Sequence, residues 1–458
     1  LYPAVKLALA TGRRVVFLTA KTLQQQLAVE TLKRMQQGGW SSLQVRAKAR
    51  MCANDEVICH EEFCAFARDY GLKLDERGVL PALRTAAPHL DPDRVFEVAK
   101  AAEVCPFEVS LELIDGTTAI VCDYNYVFDP AIALFGLAES GSLEDTYLVV
   151  DEAHNLVDRA REYFSPRLSR RRVGEARRLL EGYRQKVCRD LDAVLDSLEQ
   201  VIGDKVAKAL EGKTGVDRVE LDPAPLAAVR LELDALIAPF FTFKRDVELW
   251  LADDPVIDVL LSLARLVDLL EQEAPELVPL VERTADGDEL LRLYCLDASR
   301  WVGAVLEGSA GCVAMSATLE PFEFYRDLLG FDPDRTDTLA LPSPFPPENR
   351  LVAVVEEVDT SYKQRTRHYG RIAELVGELA PPERNALVLF PSYAFLREVA
   401  DRIHAPGHRV EIQRGADSDA ARRAILARLR GNHEPVLLLA VLGGVFAEGG
   451  DYPGEMLS

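Results

Sequence analysis

Long apolar runs are missing from this chain of 458 residues, and none approaches the roughly 18 residues needed to cross a bilayer as a helix. Nothing near its start resembles a secretory signal either. Basic residues are in deficit: 53 Lys and Arg stand against 74 Asp and Glu, for a net charge of −21. That balance argues against a nonspecific nucleic-acid coat, while leaving room for a narrow basic channel. Internal repeats are absent, and the only biased stretch is the proline-rich LPSPFPPEN at 341–349, which reads as a linker. Without a secretory signal, the eight cysteines read as metal ligands or core thiols in a reducing compartment, not as disulfides. The expectation is a soluble cytoplasmic protein with no membrane partner. A content of 48% hydrophobic and 28% charged residues is that of an ordinary globular chain. At about 150 residues per domain, its length suggests two to four domains.

What is present is best entered at YLVVDEAHNL, residues 147–156. Leu148, Val149 and Val150 form an apolar, partly β-branched run of the kind buried in parallel sheets. The run ends in Asp151 and Glu152, then Ala153 and His154. Ligands of open α/β sheets sit at the carboxyl ends of the strands. A carboxylate pair there suits an Mg²⁺-nucleotide, one member holding the ion and the other orienting the attacking water.

Such a site also needs a glycine-rich loop with a lysine to cradle the phosphates. The one near-match is LEGKTG around Gly212-Lys213-Thr214. Ala207 stands where the first glycine is required, and no strand precedes it, so it reads as a decoy. EGSAG at 307–311 and the glycine pairs at 443–444 and 449–450 lack a following lysine. At the beginning, LYPAVKLALATG reads as the back half of an amphipathic helix closed by Gly12, and RRVVFLTA as a buried strand. The close, GEMLS, is equally abrupt, so the expectation is a fragment cut at both ends.

Along the chain, α/β patterning covers 1–46, with helix, strand and a long helix rich in Gln and Leu. Residues 47–110 break that rhythm and hold four of the eight cysteines. Strands return over 111–156. Residues 157–290 show almost no strand signal and read as long helices. Strand patterns resume over 291–335, and 336–458 read as a second α/β domain.

Cys52, Cys59, Cys64 and Cys105 are separated by six, four and forty residues. Zinc ribbons prefer paired C-x₂₋₄-C knuckles, which only the Cys59–Cys64 gap approaches. Irregular spacing with a proline after the last cysteine suits a cubane iron–sulfur cluster better. Zinc and plain core thiols remain the other readings. Cys122, Cys188, Cys295 and Cys312 lie in strand or helix patterns and read as core, and His60 and His89 read as surface residues.

Taken together, these segments resemble the XPD and DinG family of iron–sulfur DNA helicases, within the second helicase superfamily. The segment 15–26 (VVFLTAKTLQQQ) looks like motif Ia, and 120–130 (IVCDYNYVFDP) like the segment before motif II. The DEAH box is 149–156, and SATLEPFEFY (316–325) resembles motif III. LPSPFPPEN and DTSYKQR (359–365) resemble the bridge into the second motor domain, LVLFPSY (387–393) motif IV, and GGVFAEGGDYPGE (443–455) motif V. Gly450 stands in motif V where the family usually has an aliphatic residue.

The resemblance implies two RecA-like α/β motor domains, both truncated, with an Fe–S cluster insert (47–110) and a helical arch insert (157–290) in the first. It places the phosphate loop before Leu1 and motif VI after Ser458. Asp151 would hold Mg²⁺ through water, Glu152 would activate the hydrolytic water, and His154 would couple the nucleotide to Ser316 and Thr318 of motif III. Glu448 and Asp451 would close the cleft from the second domain. Cys52, Cys59, Cys64 and Cys105 would ligate a 4Fe–4S cluster. DNA contacts would come from Lys21, Thr22 and Gln24 to phosphates, and from Tyr124, Asn125 and Tyr126 by stacking and hydrogen bonding, with packing of the aromatics in the core as the other reading. The basic run SPRLSRRRVGEARR (165–178) reads either as a junction with the helical insert or as a solvated helix face. The implied activity is ATP-dependent unwinding, 5′ to 3′, acting on single-stranded DNA and duplex junctions. A non-motor DNA-binding scaffold that keeps the fold is the alternative.

Overall fold

A computed structural model describes all residues except 36–38, 134–142, 432–433, 448–451, 455 and 458. The chain divides into two units: residues 1–20 and 25–338 form one, and 339–458 with 21–24 form the other.

In chain order the first unit contains β1 (Arg14–Leu18), β2 (Ser42–Gln44), β3 (His89–Leu90), β4 (Ala119–Cys122) and β5 (Thr146–Asp151). It continues with β6 (Arg167–Ser169), β7 (Gly215–Arg218), β8 (Leu277–Arg283), β9 (Glu289–Cys295) and β10 (Gly311–Met315). Six of these form a wholly parallel sheet in the order β10-β5-β1-β4-β2-β3. Its inner strands are continuous apolar runs because both faces are covered. Side chains alternate between the faces. Val15, Phe17, Val121 and Val149 meet Val5 and Ala8 of the helix Tyr2–Thr11 and Leu32 of the helix Thr22–Met35. Val16, Leu18, Ile120, Leu148 and Val150 face the larger core on the other side. Gly12 closes the first helix in the left-handed conformation (φ 67°), as its position in the sequence implies.

Two strands depart from the sequence reading. β2 lies where a continuing helix is expected, and three residues are too few for a period-two pattern to be read. β3 lies inside the cysteine insert and pairs with β2, so the main sheet extends into that insert. His89, expected at the surface, is buried there with its Nδ1 2.8 Å from Ser42 Oγ.

The region expected to show almost no strand also carries β6, β7 and β8, and β9, expected with the main α/β domain, joins them in an antiparallel sheet of order β6-β9-β8-β7. The signal for it is present: Asp286-Gly287, with Gly287 at φ 85°, marks the hairpin between β8 and β9. What hides β8 is Pro279 and a weak inside–outside alternation. The helices Arg170–Glu181, Lys186–Leu210, Pro223–Asp246 and Pro255–Leu270 pack around it. Asp222 and Asp254 cap the last two by accepting main-chain N–H bonds. Lys244 and Asp254 form an ion pair with both side chains almost fully buried.

The second unit is built on a parallel sheet, β11 (Ala386–Phe390), β12 (Arg409–Ile412) and β13 (Val436–Val441), in the order β11-β13-β12. Every residue of the central β13 is buried. Buried Asn385 accepts from Val436 N (2.8 Å) and donates to Leu429 O and Met456 O, tying the sheet's edge to the final loop. Residues 336–364, which include the proline-rich stretch, carry neither α-helix nor strand.

Candidate functional site: the carboxyl edge of the main sheet

Strand β5 ends at Asp151, and the helix His154–Tyr163 starts three residues later. The turn between them is tight. Glu152 has φ 50°, in the left-handed region that a glutamate occupies only when its surroundings impose it. Ala153 N donates to Met315 O (3.1 Å), which ties the turn to the end of β10. Glu152 N donates to Asp151 Oδ1 (3.1 Å).

The register pairs Asp151 with Met315, so Ser316 and Thr318 emerge beside the carboxylates. Ser316 Oγ donates to Glu152 Oε2 at 3.0 Å and lies 2.7 Å from His154 Nδ1. A hydroxyl has one proton, so with that proton on Glu152 the imidazole donates from Nδ1. Thr318 Oγ1 stands 3.3 Å from Ser316 Oγ and 3.4 Å from His154 Nδ1. Burial, then the neighbouring Glu152 charge, raises the Asp151 pKa. A divalent cation beside Asp151 would offset both, and an all-oxygen donor set suits Mg²⁺. Glu448 and Asp451 lie outside the described residues.

The four cysteines 52, 59, 64 and 105 line one cavity of about 400 Å³, together with Lys48 and Tyr70. Asn54 Nδ2 donates to Cys64 Sγ (3.2 Å), and Cys105 precedes the helix Pro106–Glu112. Burial raises the Cys105 thiol. Burial works to lower Lys48, but Cys59 and Glu108 bring it net upward. Among the described residues, no three His, Cys, Asp or Glu side chains are gathered as they would be around a single ion. Cys122, Cys188 and Cys295 are buried, and Cys312 is half-buried.

Residues 22–173 match the DEAD_2 family model, and residues 376–458 match that of the helicase C-terminal domain. The chain is 24% identical to the ATP-dependent DNA helicase DinG of Photobacterium profundum, over 99% of this chain and 77% of that protein. It is 21% identical to the ATP-dependent DNA helicase chl1 of Neosartorya fischeri, over 94% of this chain and 56% of that one. Among solved structures, an XPD helicase superposes over 97% of this chain and 75% of its own, with 17% identity and a TM-score of 0.55, which shows the fold. The chain belongs to the XPD/DinG-like helicases of superfamily 2.

In this helicase the expected DNA contacts fare unequally. Lys21 is half-buried and Thr22 exposed, just beyond the end of β1, whereas Gln24 is buried. Tyr124 is completely buried and Tyr126 nearly so. Neither ring offers a face to a base, so the stacking expectation is corrected for both: their rings belong to the core. The Tyr124 hydroxyl donates instead to the main-chain carbonyls of Asp151 and Glu152 (3.1 Å to the latter), and Tyr126 Oη to Arg46 O (3.3 Å). Among the described residues, Asn125 Oδ1 is buried without a partner. No sequence signal links Tyr124 to the DEAH box, because β4 reaches β5 only across β1.

Four of the six arginines in the basic run are paired with carboxylates. Arg170 pairs with Glu289 (2.5 Å), Arg171 with Asp286 (2.8 Å), Arg172 with Glu175, Asp253 and Asp258, and Arg177 with Asp192 and Glu199. Gly212-Lys213-Thr214 follows the helix Lys186–Leu210 and precedes β7. That helix–loop–strand order inverts the strand–loop–helix of a phosphate loop and presents the negative end of a helix. Among the described residues, no helix is long and apolar enough to cross a membrane.

Proposed function

We propose that this chain carries the hydrolytic and strand-separating parts of an ATP-dependent DNA helicase that moves 5′ to 3′ on single-stranded DNA and opens duplex junctions. The observation that carries the reading is the hydrogen-bonded set Glu152, Ser316 and His154, drawn from the ends of β5 and β10. Glu152 accepts the proton of the water that attacks the terminal phosphate. Ser316 fixes the carboxylate and passes its position to His154. Asp151 would hold Mg²⁺ through water, and the ion, when bound, supplies charge neutralisation at the phosphates. Direction and junction preference rest on the resemblance to the family.

We also assign Cys52, Cys59, Cys64 and Cys105 to a 4Fe–4S cluster. Four thiols around a cavity of about 400 Å³ suit a multi-atom centre better than one zinc, which would draw its ligands to about 2.3 Å. The centre would tie together an insert whose cysteines come from widely separated segments.

The test uses the full-length protein with forked duplexes tailed at either the 5′ or the 3′ end. ATP-dependent displacement from the 5′-tailed fork, lost in Glu152→Gln while ATP still binds, is the expected result. Displacement only from the 3′ tail would reverse the direction. Unwinding that persists in Glu152→Gln would remove Glu152 from the chemistry.

A further inference from the structure

Tyr124 sits just beyond β4, two strands from the DEAH strand, yet its hydroxyl reaches across β1 to two successive carbonyls, Asp151 O and Glu152 O. Its ring is fully buried, so the hydroxyl has no solvent to turn to. Strands lie about 4.8 Å apart, and tyrosine is the side chain that carries a donor furthest on a rigid arm.

The peptide it holds is an unusual one. Glu152 occupies the left-handed region (φ 50°), where a side chain crowds its own backbone. That conformation aims the carboxylate at Ser316 Oγ (3.0 Å) and His154 Nδ1 (3.4 Å). Several contacts hold the turn, with Asn155 N donating to Glu152 O (2.9 Å) among them. Ala153 N bonds to Met315 O, Glu152 N bonds to Asp151 Oδ1, and the Tyr124 hydroxyl takes both carbonyls. Of these, the Asp151 contact competes with any role of that carboxylate in holding a cation. The Tyr124 contact engages main-chain carbonyls only, so it does not compete with the role of either carboxylate.

We propose that Tyr124 is a positioning residue for ATP hydrolysis: its hydroxyl locks the Asp151–Glu152 backbone in the left-handed turn that aims the Glu152 carboxylate at the attacking water. It acts through Glu152 and touches neither nucleotide nor DNA. The proposal rests on the reading of Glu152 as the base. Proton transfer requires the base within hydrogen-bond reach of the water, and misplacement by about 1 Å costs roughly 100-fold.

The test is Tyr124→Phe in the full-length helicase, since phenylalanine keeps the buried ring and removes only the hydroxyl, whose one proton the two carbonyls share. DNA-stimulated kcat should fall on the order of 10- to 100-fold, with KM for ATP and single-strand affinity within about 3-fold of wild type. Thermal unfolding, followed in parallel, should leave the protein folded at the assay temperature. In a Glu152→Gln background, Tyr124→Phe should lower the residual rate no further, because residues acting as a unit are not additive. A kcat within about 2-fold of wild type, beside an inactive Glu152→Gln, overturns the proposal and leaves the base assignment standing. A kcat loss matched by the unfolded fraction, or a further multiplicative loss in the double variant, also overturns it. Wild-type hydrolysis by Glu152→Gln would remove both.

Discussion

Ser316 Oγ donates to Glu152 Oε2 across 3.0 Å, joining the ends of two neighbouring parallel strands that are more than 160 residues apart in the chain. The contact restrains a carboxylate whose own backbone already holds an uncommon conformation. Ser316→Ala removes that restraint and leaves His154 Nδ1 with only the longer contacts to Thr318 Oγ1 and Glu152 Oε2, both 3.4 Å. The expected outcome in the full-length helicase is a fall of about 10-fold in kcat for ATP, with nucleotide affinity retained, since the hydroxyl fixes the base and not the ground-state phosphates. Steady-state hydrolysis with separate nucleotide-binding measurements checks it, and a change confined to KM would place Ser316 in binding.

The 458 residues contain no G-x-x-x-x-G-K-[ST] loop, and the nearest match lies between a helix and a strand. Without oriented donors on the phosphates, charge developing in the transition state goes unstabilised. These residues expressed alone should therefore show no DNA-stimulated ATP hydrolysis above background, and Lys213→Ala should change nothing. Turnover abolished by Lys213→Ala would restore the Gly212-Lys213-Thr214 loop to the phosphate site.

The parallel sheet and the DEAH turn were legible because buried parallel strands are unbroken apolar runs and their ligand edge ends in paired carboxylates. The insert sheet was harder to see. β6 and β7 are three and four residues long, and β8 is interrupted by Pro279. Tyr124 and Tyr126 admitted two readings because an aromatic beside an amide looks alike in a binding groove and in a core; the burial of both rings decides for the core. The pairing of Arg170, Arg171, Arg172 and Arg177 was hidden because their acidic partners come mainly from more distant segments, including Asp253, Asp258, Asp286 and Glu289. No local pattern reveals that pairing.

Lys244 and Asp254 are each less than a tenth exposed, and Asp254 also caps the helix Pro255–Leu270. Lys244→Ala strands a buried carboxylate without its counter-charge, which costs about 3–5 kcal/mol when a buried pair is broken. The helices around the antiparallel sheet should then unfold first, seen as early protease cleavage in that region. Lys244→Met with Asp254→Ser, which keeps a capping hydroxyl, should recover much of the loss. Equal stability of Lys244→Ala and wild type would show that water reaches the site.

Purified without oxygen, the protein should be brown and carry about four irons per chain if the thiols hold a cubane cluster. Cys105→Ser should bleach it and expose residues 47–110 to protease while the sheets stay folded. Strand separation should fall further than single-strand binding if the insert acts to separate the strands and not as their main grip. A colourless protein with one zinc would replace the cluster assignment and leave the motor assignment intact.

His89 supplies the pH test. Burial, and then the nearby Lys33 charge, push its pKa down to about 4, against which Asp91 pulls upward. An unfolded histidine titrates near 6.5. Between those values the unfolded chain binds the proton and the folded one does not, so stability is complete above about pH 6.5 and declines as pH falls toward 4. Protonation would also leave a charge facing Lys33, and the buried Nε2 has no acceptor to receive its hydrogen. His89→Gln preserves a polar partner for Ser42 and cannot titrate. Urea unfolding of both proteins at pH 7.5, 6 and 5 should show wild type losing stability faster than the variant on acidification, by up to one proton's worth of slope. Parallel losses in the two proteins would assign the acid sensitivity to other groups.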